Sequence, residues 1–396
     1  MITLASKDTC TACGACAHRC PHQCISMQEN TIGEIYPIID NDKCIQCHAC
    51  EKICPVLVLP EGNIPQTVYA AWSIKEEQRL SSASGGVAYE CYQYAIFHGY
   101  KCVGASMNAD LTVSLKIAET ADELIAFKNS KYVFSEIYDL LPRITEELQH
   151  GEKILMIGLP CQIAAVKKLF PHHDNLLLIE ILCHGNTPYS YLKQHIESIE
   201  QRLGKKAAVV DFRTPSYKTY TYTFTLRDNK GEEFYAARAK DGDTYQYAYH
   251  SAVSYRESCY HCSFAKEERI GDITLADYWG LGNKIPFNHE KKNVSMVQIN
   301  SEKGSLFWNA VVRSGNVFSE ERPMEEARAG NPRLLRTNPK SKDRLTFEKE
   351  ILKYHGDFEK ATKELVKQYL KRQNESRLVL HFRGLLYRIN KVIRKL

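Results

Sequence analysis

Cys10-Thr-Ala-Cys13-Gly-Ala-Cys16-Ala-His-Arg-Cys20-Pro21 and Cys44-Ile-Gln-Cys47-His-Ala-Cys50-Glu-Lys-Ile-Cys54-Pro55 repeat one spacing, C-x2-C-x2-C-x3-C-P. Three thiolates two residues apart wrap one corner of an iron–sulfide cube, and backbone amides can then point at the sulfides. The fourth cysteine lies past a short turn that the proline ends. In paired runs it serves the other cube. Cys10, Cys13, Cys16 and Cys54 are therefore expected on one [4Fe–4S] cluster, and Cys44, Cys47, Cys50 and Cys20 on the other. A zinc ribbon would use two C-x2-C pairs, and eight cysteines also allow many disulfide pairings. Neither calls for a third cysteine followed by x3-C-P, twice.

Working outward, Gly33 to Asp40 between the runs reads as a short strand. Pro60-Glu-Gly-Asn-Ile-Pro65 is a polar, breaker-rich linker that closes the unit. The whole chain of 396 residues has room for two or three domains. Its 44% hydrophobic and 25% charged content suits a soluble globular protein. The longest apolar candidate, Leu176 to Leu182, is interrupted by Glu180 and falls short of a bilayer span. The first residues lack the pattern of a secretory signal, so the fifteen cysteines read as reduced thiols serving metals in the cytoplasm. Net charge is +5 and uneven: Lys371 to Leu396 holds eight Lys/Arg against the single acid Glu375. The rest is slightly acidic, and no nucleic-acid partner is expected.

From Val68 a new pattern begins. Val68 to Trp72 reads as a strand, and Ser81-Ser-Ala-Ser-Gly-Gly-Val87 leads into a helix with Val87, Cys91, Ala95 and Phe97 on roughly one face. Such a turn either caps the helix or offers N–H groups to an anion. Strands are expected at Cys102 to Ser106 and Thr112 to Ile117, and Thr120-Ala-Asp-Glu123 is a capping box opening a helix. Lys153 to Gly158, a helix from Ile163 to Phe170, and Asn175 to Cys183 form a βαβ unit in a parallel sheet. Cys161 and Cys183 should then lie at one carboxyl edge, where open α/β sheets place ligands. Thr219 to Leu226 and Glu232 to Ala237, around a turn at Asp228 to Gly231, read as an antiparallel hairpin.

Cys259-Tyr-His-Cys262 alone suits zinc, redox or a cluster. With Cys161 and Cys183 it makes four thiolates, the number one further [4Fe–4S] needs. Cys24, Cys91 and Cys102 are left over and read as small buried hydrophobes. A charged helix is expected from Phe347 to Arg372. Beyond it, Leu378, Phe382, Leu385, Ile389, Val392 and Leu396 form an apolar stripe flanked by Arg383, Arg388, Lys391, Arg394 and Lys395. That helix either covers an apolar patch of its own protein or meets a membrane surface or partner.

Taken together, the chain resembles the family of coenzyme F420 hydrogenase/dehydrogenase beta subunits, in the branch with a fused N-terminal two-cluster ferredoxin. The residues that carry this are Ser84-Gly-Gly86, Ser130-Lys-Tyr-Val133, Gly158-Leu-Pro-Cys161-Gln162, Cys183-His-Gly185, Cys259-x2-Cys262, Asp277-Tyr-Trp-Gly280 and, more loosely, Asp211-Phe-Arg213. The resemblance implies an iron–sulfur flavoprotein that passes electrons between clusters and FAD, and on to a deazaflavin coenzyme or another organic acceptor. It implies a third [4Fe–4S] cluster on Cys161, Cys183, Cys259 and Cys262. It also implies an FAD site lined by Ser84, Gly85, Gly86, Ser130, Lys131 and Tyr132, with Pro160 and Gln162. Relatives also occur among enzymes of surface-polysaccharide synthesis. Where the family often has a Gly-Trp pair after its Asp-Phe-Arg segment, this chain has Ser216-Tyr-Lys-Thr-Tyr220.

The expected fold class is α+β. A bacterial-type two-cluster ferredoxin domain (1–62) precedes an α/β flavin-binding domain (67–335, in parts 67–145 and 146–335) with a parallel βαβ core and an antiparallel hairpin. A helical, basic tail (340–396) follows. The expected partners are a redox donor such as ferredoxin or a partner subunit, a small-molecule acceptor and, through the tail, the inner membrane face. His184, at a strand's carboxyl end, is the candidate proton donor. The alternative is an electron-transfer subunit that serves a separate catalytic partner.

Overall fold

A computed structural model describes residues 2–393, with side-chain surroundings up to Glu375. The basic apolar-striped segment beyond Leu378 lies outside the described side chains.

The N-terminal module pairs each cysteine run with a short helix, α1 (Ala15–Arg19) and α2 (Ala49–Ile53), around a hairpin of β1 (Ile25–Glu29) and β2 (Ile35–Ile39). The main body follows as β3 (Thr67–Ser73), α3 (Glu76–Ser81), α4 (Val87–Phe97), β4 (Tyr100–Met107), β5 (Val113–Ala118), α5 (Leu141–Gln149), β6 (Lys153–Gly158), α6 (Pro160–Leu169), β7 (Leu176–Ile181) and α7 (Tyr189–Leu203). A small sheet of β8 (Val209–Asp211), β9 (Phe224–Arg227) and β10 (Glu233–Ala237) precedes α8 (Thr244–His250) and α9 (Glu257–Tyr260). The chain continues with β11 (Ile273–Asp277), β12 (Ser295–Ile299), α10 (Glu302–Arg313), β13 (Val317–Arg322), α11 (Met324–Gly330), α12 (Lys342–Lys353) and α13 (Phe358–Ile393).

Eight strands form one mixed sheet in the order β13-β3-β12-β11-β7-β6-β4-β5. Its centre is parallel, with β11, β7, β6 and β4 running side by side, and its flanks are antiparallel. The near-continuous apolar runs of β6 and β7 follow from burial on both faces. Leu155, Ile157, Leu177 and Ile179 pack on the side of α4 and α10, with Cys91, Phe307 and Trp308. Ile154, Met156, Leu176 and Leu178 face α5 and α6, with Leu141, Ile144 and Ile163. The period of two therefore assigns alternate residues to two cores. Cys91 and Cys102 are fully buried among apolar neighbours, as expected of spare cysteines.

Four local expectations differ. Phe97, expected on the apolar face of α4, is the last residue of that helix and stands exposed, two positions past Ala95 and so off the buried stripe. Thr219 to Thr221 is a 3₁₀ turn rather than strand, because Lys218 and Tyr222 adopt positive φ of 64° and 53°; the hairpin begins only at Phe224. The Thr120 box yields a 3₁₀ turn over Glu123–Phe127, in which Glu123 accepts the N–H groups of Glu119 and Thr120. The charged helix from Phe347 is two helices, broken between Tyr354 and Asp357.

The helices after residue 340 enter a core shared with the small sheet: Phe347, Ile351, Phe358 and Leu365 join Phe212, Phe224 and Tyr245. At its centre His195 of α7 bridges Asp243, 3.1 Å from Nε2, and Glu359 of α13, 2.7 Å from Nδ1. Tyr235 also donates to Asp243. Burial alone would pull the imidazole down, but the two carboxylates outweigh it and push it up to about 9. A pKa raised from about 6.5 means that this stabilisation is complete below pH 6.5 and is lost as pH rises through 9. It is worth roughly 3 kcal/mol. The urea midpoints of wild type and His195→Gln should therefore differ at pH 6 and converge toward pH 10. A gap that stays constant with pH would mean that His195 is uncharged in the fold.

Candidate iron–sulfur centres and the adjoining cleft

Both cysteine runs use the same backbone device. Ala12 and Gly14 have φ of 54° and 73°, and the equivalent Gln46 and His48 have 55° and 58°. Left-handed residues between cysteines turn successive N–H groups toward one concavity, a nest suited to anionic sulfide. At Gly14 a side chain is also excluded, since a Cβ would meet Tyr138 Cβ at 2.2 Å.

Each concavity is lined by a crossed set of thiols. Cys10, Cys13, Cys16 and Cys54 share one cavity of about 370 Å³. Cys20, Cys44, Cys47 and Cys50 share another of about 300 Å³. Four thiols around a volume, backed by nests of N–H groups, fit a [4Fe–4S] cube in each. The second cavity holds a fifth thiol that the spacing did not flag: Cys24, 5% exposed, with its Sγ 3.2 Å from that of Cys20.

The parallel strands deliver the next set. Cys161 follows β6 in the first turn of α6, where Pro160 opens the helix and Gln162 caps it. Cys183 follows the adjacent β7, and Cys259 and Cys262 arrive from α9 and the loop after it. All four line one open cavity of about 790 Å³ at the carboxyl edge of the sheet. Gly185 is required there: its φ is 147°, and the Tyr255 ring lies where a side chain would stand. Burial raises all four thiols, Cys259 to about 12.

Cys13 lines both this cavity and the first ferredoxin cavity, and Thr11 and Ala12 share the wall. The two modules are held together at this point. His18 lies 3.1 Å from Thr145 of α5, and Arg256 donates to Thr11 and Ile35 carbonyls at 2.9 Å each. Beneath the cavity, Arg269 and Glu180 pair inside the sheet, at 1% and 0% side-chain exposure.

The remaining expected site residues divide. Pro160, Gln162 and His184 line the cysteine cavity. The Gln162 amide is already engaged, accepting from Leu159 N and donating to Ser135. Burial, with Arg333 nearby, holds His184 below the usual histidine range. Ser84, Gly85 and Gly86 lie elsewhere, at the start of α4 against the first residues of β12. A chain of contacts connects that turn to the other motifs. Asn293 donates to Ser84 O and Thr219, Arg213 donates to Thr219 O, and Arg213 also pairs with Asp277 at 2.9 Å. Tyr132 closes the group, stacked on Tyr249 with its hydroxyl 3.5 Å from Arg213. Next to it, Lys131 spends its protons on the carbonyls of Ala126 and Lys128. Burial pulls that lysine down to about 8, and no carboxylate among the described residues pairs with it. The neighbouring Asn129 Oδ1 is buried without a partner. Lys131 and Asn129 thus bring a positive charge and an unpartnered polar oxygen close together.

Two family models match the chain. Residues 9–58 match the 4Fe-4S dicluster domain, and residues 151–325 match the C terminus of the beta subunit of coenzyme F420 hydrogenase/dehydrogenase. The chain is 21% identical over 290 residues to the F subunit of the F(420)H(2) dehydrogenase of Methanosarcina mazei, across 69% of this chain and 78% of that protein. It is 22% identical over 308 residues to the beta subunit of the coenzyme F420 hydrogenase of Methanococcus voltae, across 74% of this chain and 96% of that protein. Among solved structures, a chain of the F420-reducing [NiFe] hydrogenase complex from Methanosarcina barkeri aligns with TM-score 0.45 and 18% identity, covering 74% of this chain and 94% of that one.

Fold and site together define an iron–sulfur protein of oxidoreductase type. Residues 151–325 carry the C-terminal region of the coenzyme F420 hydrogenase/dehydrogenase beta-subunit family, and residues 9–58 carry a 4Fe-4S dicluster domain ahead of it. Among the described residues no helix is long and apolar enough to cross a membrane.

Proposed function

We propose that the chain is an iron–sulfur flavoprotein oxidoreductase that delivers electrons to an organic acceptor. The observation that carries this reading is the wall at Cys13, which places the ferredoxin module against a second cysteine-lined cavity. Cys10, Cys13, Cys16 and Cys54 would hold one cluster, and Cys20, Cys44, Cys47 and Cys50 another. Cys161, Cys183, Cys259 and Cys262 would hold a third. Bound there, clusters supply one-electron carriage, and FAD supplies the conversion to two-electron chemistry that most organic reductions need.

The protein's own contribution is placement. Lys131 and the Ser84–Gly86 turn would receive the FAD, with Tyr132 and Arg213 between them. The family resemblance and the unpaired charge of Lys131 support that assignment. The cysteine cavity is open to solvent, so an acceptor group could approach a four-thiolate centre there. His184, on its wall, is the nearest candidate for moving a proton.

Iron and flavin analysis of anaerobically purified protein tests this. The expected result is about twelve irons per chain with one FAD. About eight irons and no flavin would sink the reading and leave an electron carrier. A second reading, an electron-transfer subunit that serves a partner enzyme, is favoured by the relatives' names as subunits. Turnover of an acceptor by the isolated chain with an artificial donor would rule it out.

A further inference from the structure

Arg256 is 3% exposed, and its guanidinium makes no ion pair among the described residues. Two of its nitrogens donate to main-chain carbonyls, Thr11 and Ile35 at 2.9 Å. The third, Nε, is buried without a partner. The guanidinium lies over the rings of Phe134 and Tyr36, with centroids at 5.0 and 5.6 Å. A buried cation with only dipoles around it is costly unless a negative charge lies close by. The nearest buried carboxylate, Glu34, is turned to other groups: it accepts from Glu257 N at 2.9 Å and from the Tyr36 hydroxyl.

The position of Arg256 shows where the missing charge belongs. Thr11 sits between Cys10 and Cys13, and the Arg256 side chain lines the cavity of Cys161, Cys183, Cys259 and Cys262. Its backbone accepts from Cys259 N at 3.0 Å and donates to Asn186 at 2.8 Å, just past Cys183. It lines neither ferredoxin cavity; its link to the Cys10 set is the hydrogen bond to the Thr11 carbonyl, and it has no such link to the set of Cys20, Cys44, Cys47 and Cys50. Four thiolates make a [4Fe–4S] centre a net anion, and each added electron makes it more so. Net charge and nearby hydrogen bonding set the potential of such centres.

We propose that Arg256 is a positioning residue whose fixed charge serves two neighbouring iron–sulfur centres, raising their potentials relative to the outer ferredoxin cluster. For the centre at Cys161, Cys183, Cys259 and Cys262 this rests on the proposed third cluster; for the centre at Cys10, Cys13, Cys16 and Cys54 it does not. Glu34, buried beside Tyr36 and bonded to Glu257 N, opposes it.

The test is a redox titration of the full chain, followed by electron paramagnetic resonance, on wild type, Arg256→Gln, Arg256→Lys and Glu34→Gln. Arg256→Gln should lower the potential of the Cys10 centre and leave the Cys44 centre in place. Arg256→Lys should restore most of the loss, and Glu34→Gln should move the same potential upward. Opposite shifts from the two neutralising changes are not what a packing role produces. Unchanged potentials, or equal losses with Gln and Lys, overturn the proposal. If Arg256→Gln does not fold, Glu34→Gln decides alone: an upward shift upholds the proposal, and no shift or a downward one overturns it. An iron count of about eight in wild type would instead remove the third cluster and leave the test at the Cys10 centre intact.

Discussion

Arg269→Met should lower the unfolding free energy by about 3–5 kcal/mol, the range for removing one partner of a buried ion pair. The pair lies in the sheet interior. Glu180 accepts from Arg269 Nε, from the Thr274 hydroxyl at 2.9 Å and from the N–H groups of Ile270 and Gly271 at 3.3 and 3.2 Å. Arg269 also donates to the carbonyls of Phe264 and Lys266, which ties the loop after Cys262 to the end of the sheet. Without the guanidinium, a carboxylate stays buried with neutral donors alone. The double change Arg269→Met, Glu180→Leu should recover much of the loss, because neither charge is then stranded. Urea denaturation of the three proteins measures both effects. A loss below about 1 kcal/mol in the single variant would place the pair with solvated surface bridges.

Cys54→Ser should remove about four irons per chain and abolish the same paramagnetic signal as Cys10→Ser, although the two residues lie in different runs. The shared cavity of Cys10, Cys13, Cys16 and Cys54 is the reason. The reciprocal change at position 20 should be made together with Cys24→Ser. The Cys24 thiol lies 3.2 Å from that of Cys20 on the same wall and remains when Cys20 alone is changed. Cys20→Ser, Cys24→Ser should then match Cys44→Ser. If Cys54→Ser instead abolished the signal lost in Cys44→Ser, each run would hold its own cluster and the crossed assignment would fall.

These tests rest on features of unequal legibility in the sequence. The cysteine runs were readable because cluster ligation imposes a short-range spacing. The parallel β6 and β7 were readable because burial on both faces leaves continuous apolar runs, and parallel pairing then brings Cys161 and Cys183 to one edge. Glu180 stood out in such a run, but nothing local pointed to Arg269, which comes from a distant loop. Arg256 was likewise silent, since an isolated arginine ordinarily reads as exposed. The break at Tyr354–Asp357 has a tertiary cause: Gly356, at φ 86°, sits where a Cβ would meet Thr31 O at 2.5 Å. The Thr219–Thr221 turn was masked by strand-prone Thr and Tyr, whose preference yields to the positive φ at Lys218 and Tyr222. Sheet order was the least visible, because pairing β3 between β12 and β13 depends on contacts between remote segments.

The shared wall at Cys13 also has a kinetic meaning. When donor and acceptor are separate proteins, each transfer waits on a diffusional encounter, whose rate varies with concentration and ionic strength. Thr11, Ala12 and Cys13 are built into the wall of the second cysteine cavity, so under the proposed function that encounter would be replaced by a permanent intramolecular contact. Exchange between the two halves would then be first order, indifferent to dilution and to added salt. Only the delivery of electrons to the outer ferredoxin loop, where Cys47 is exposed, remains subject to collision.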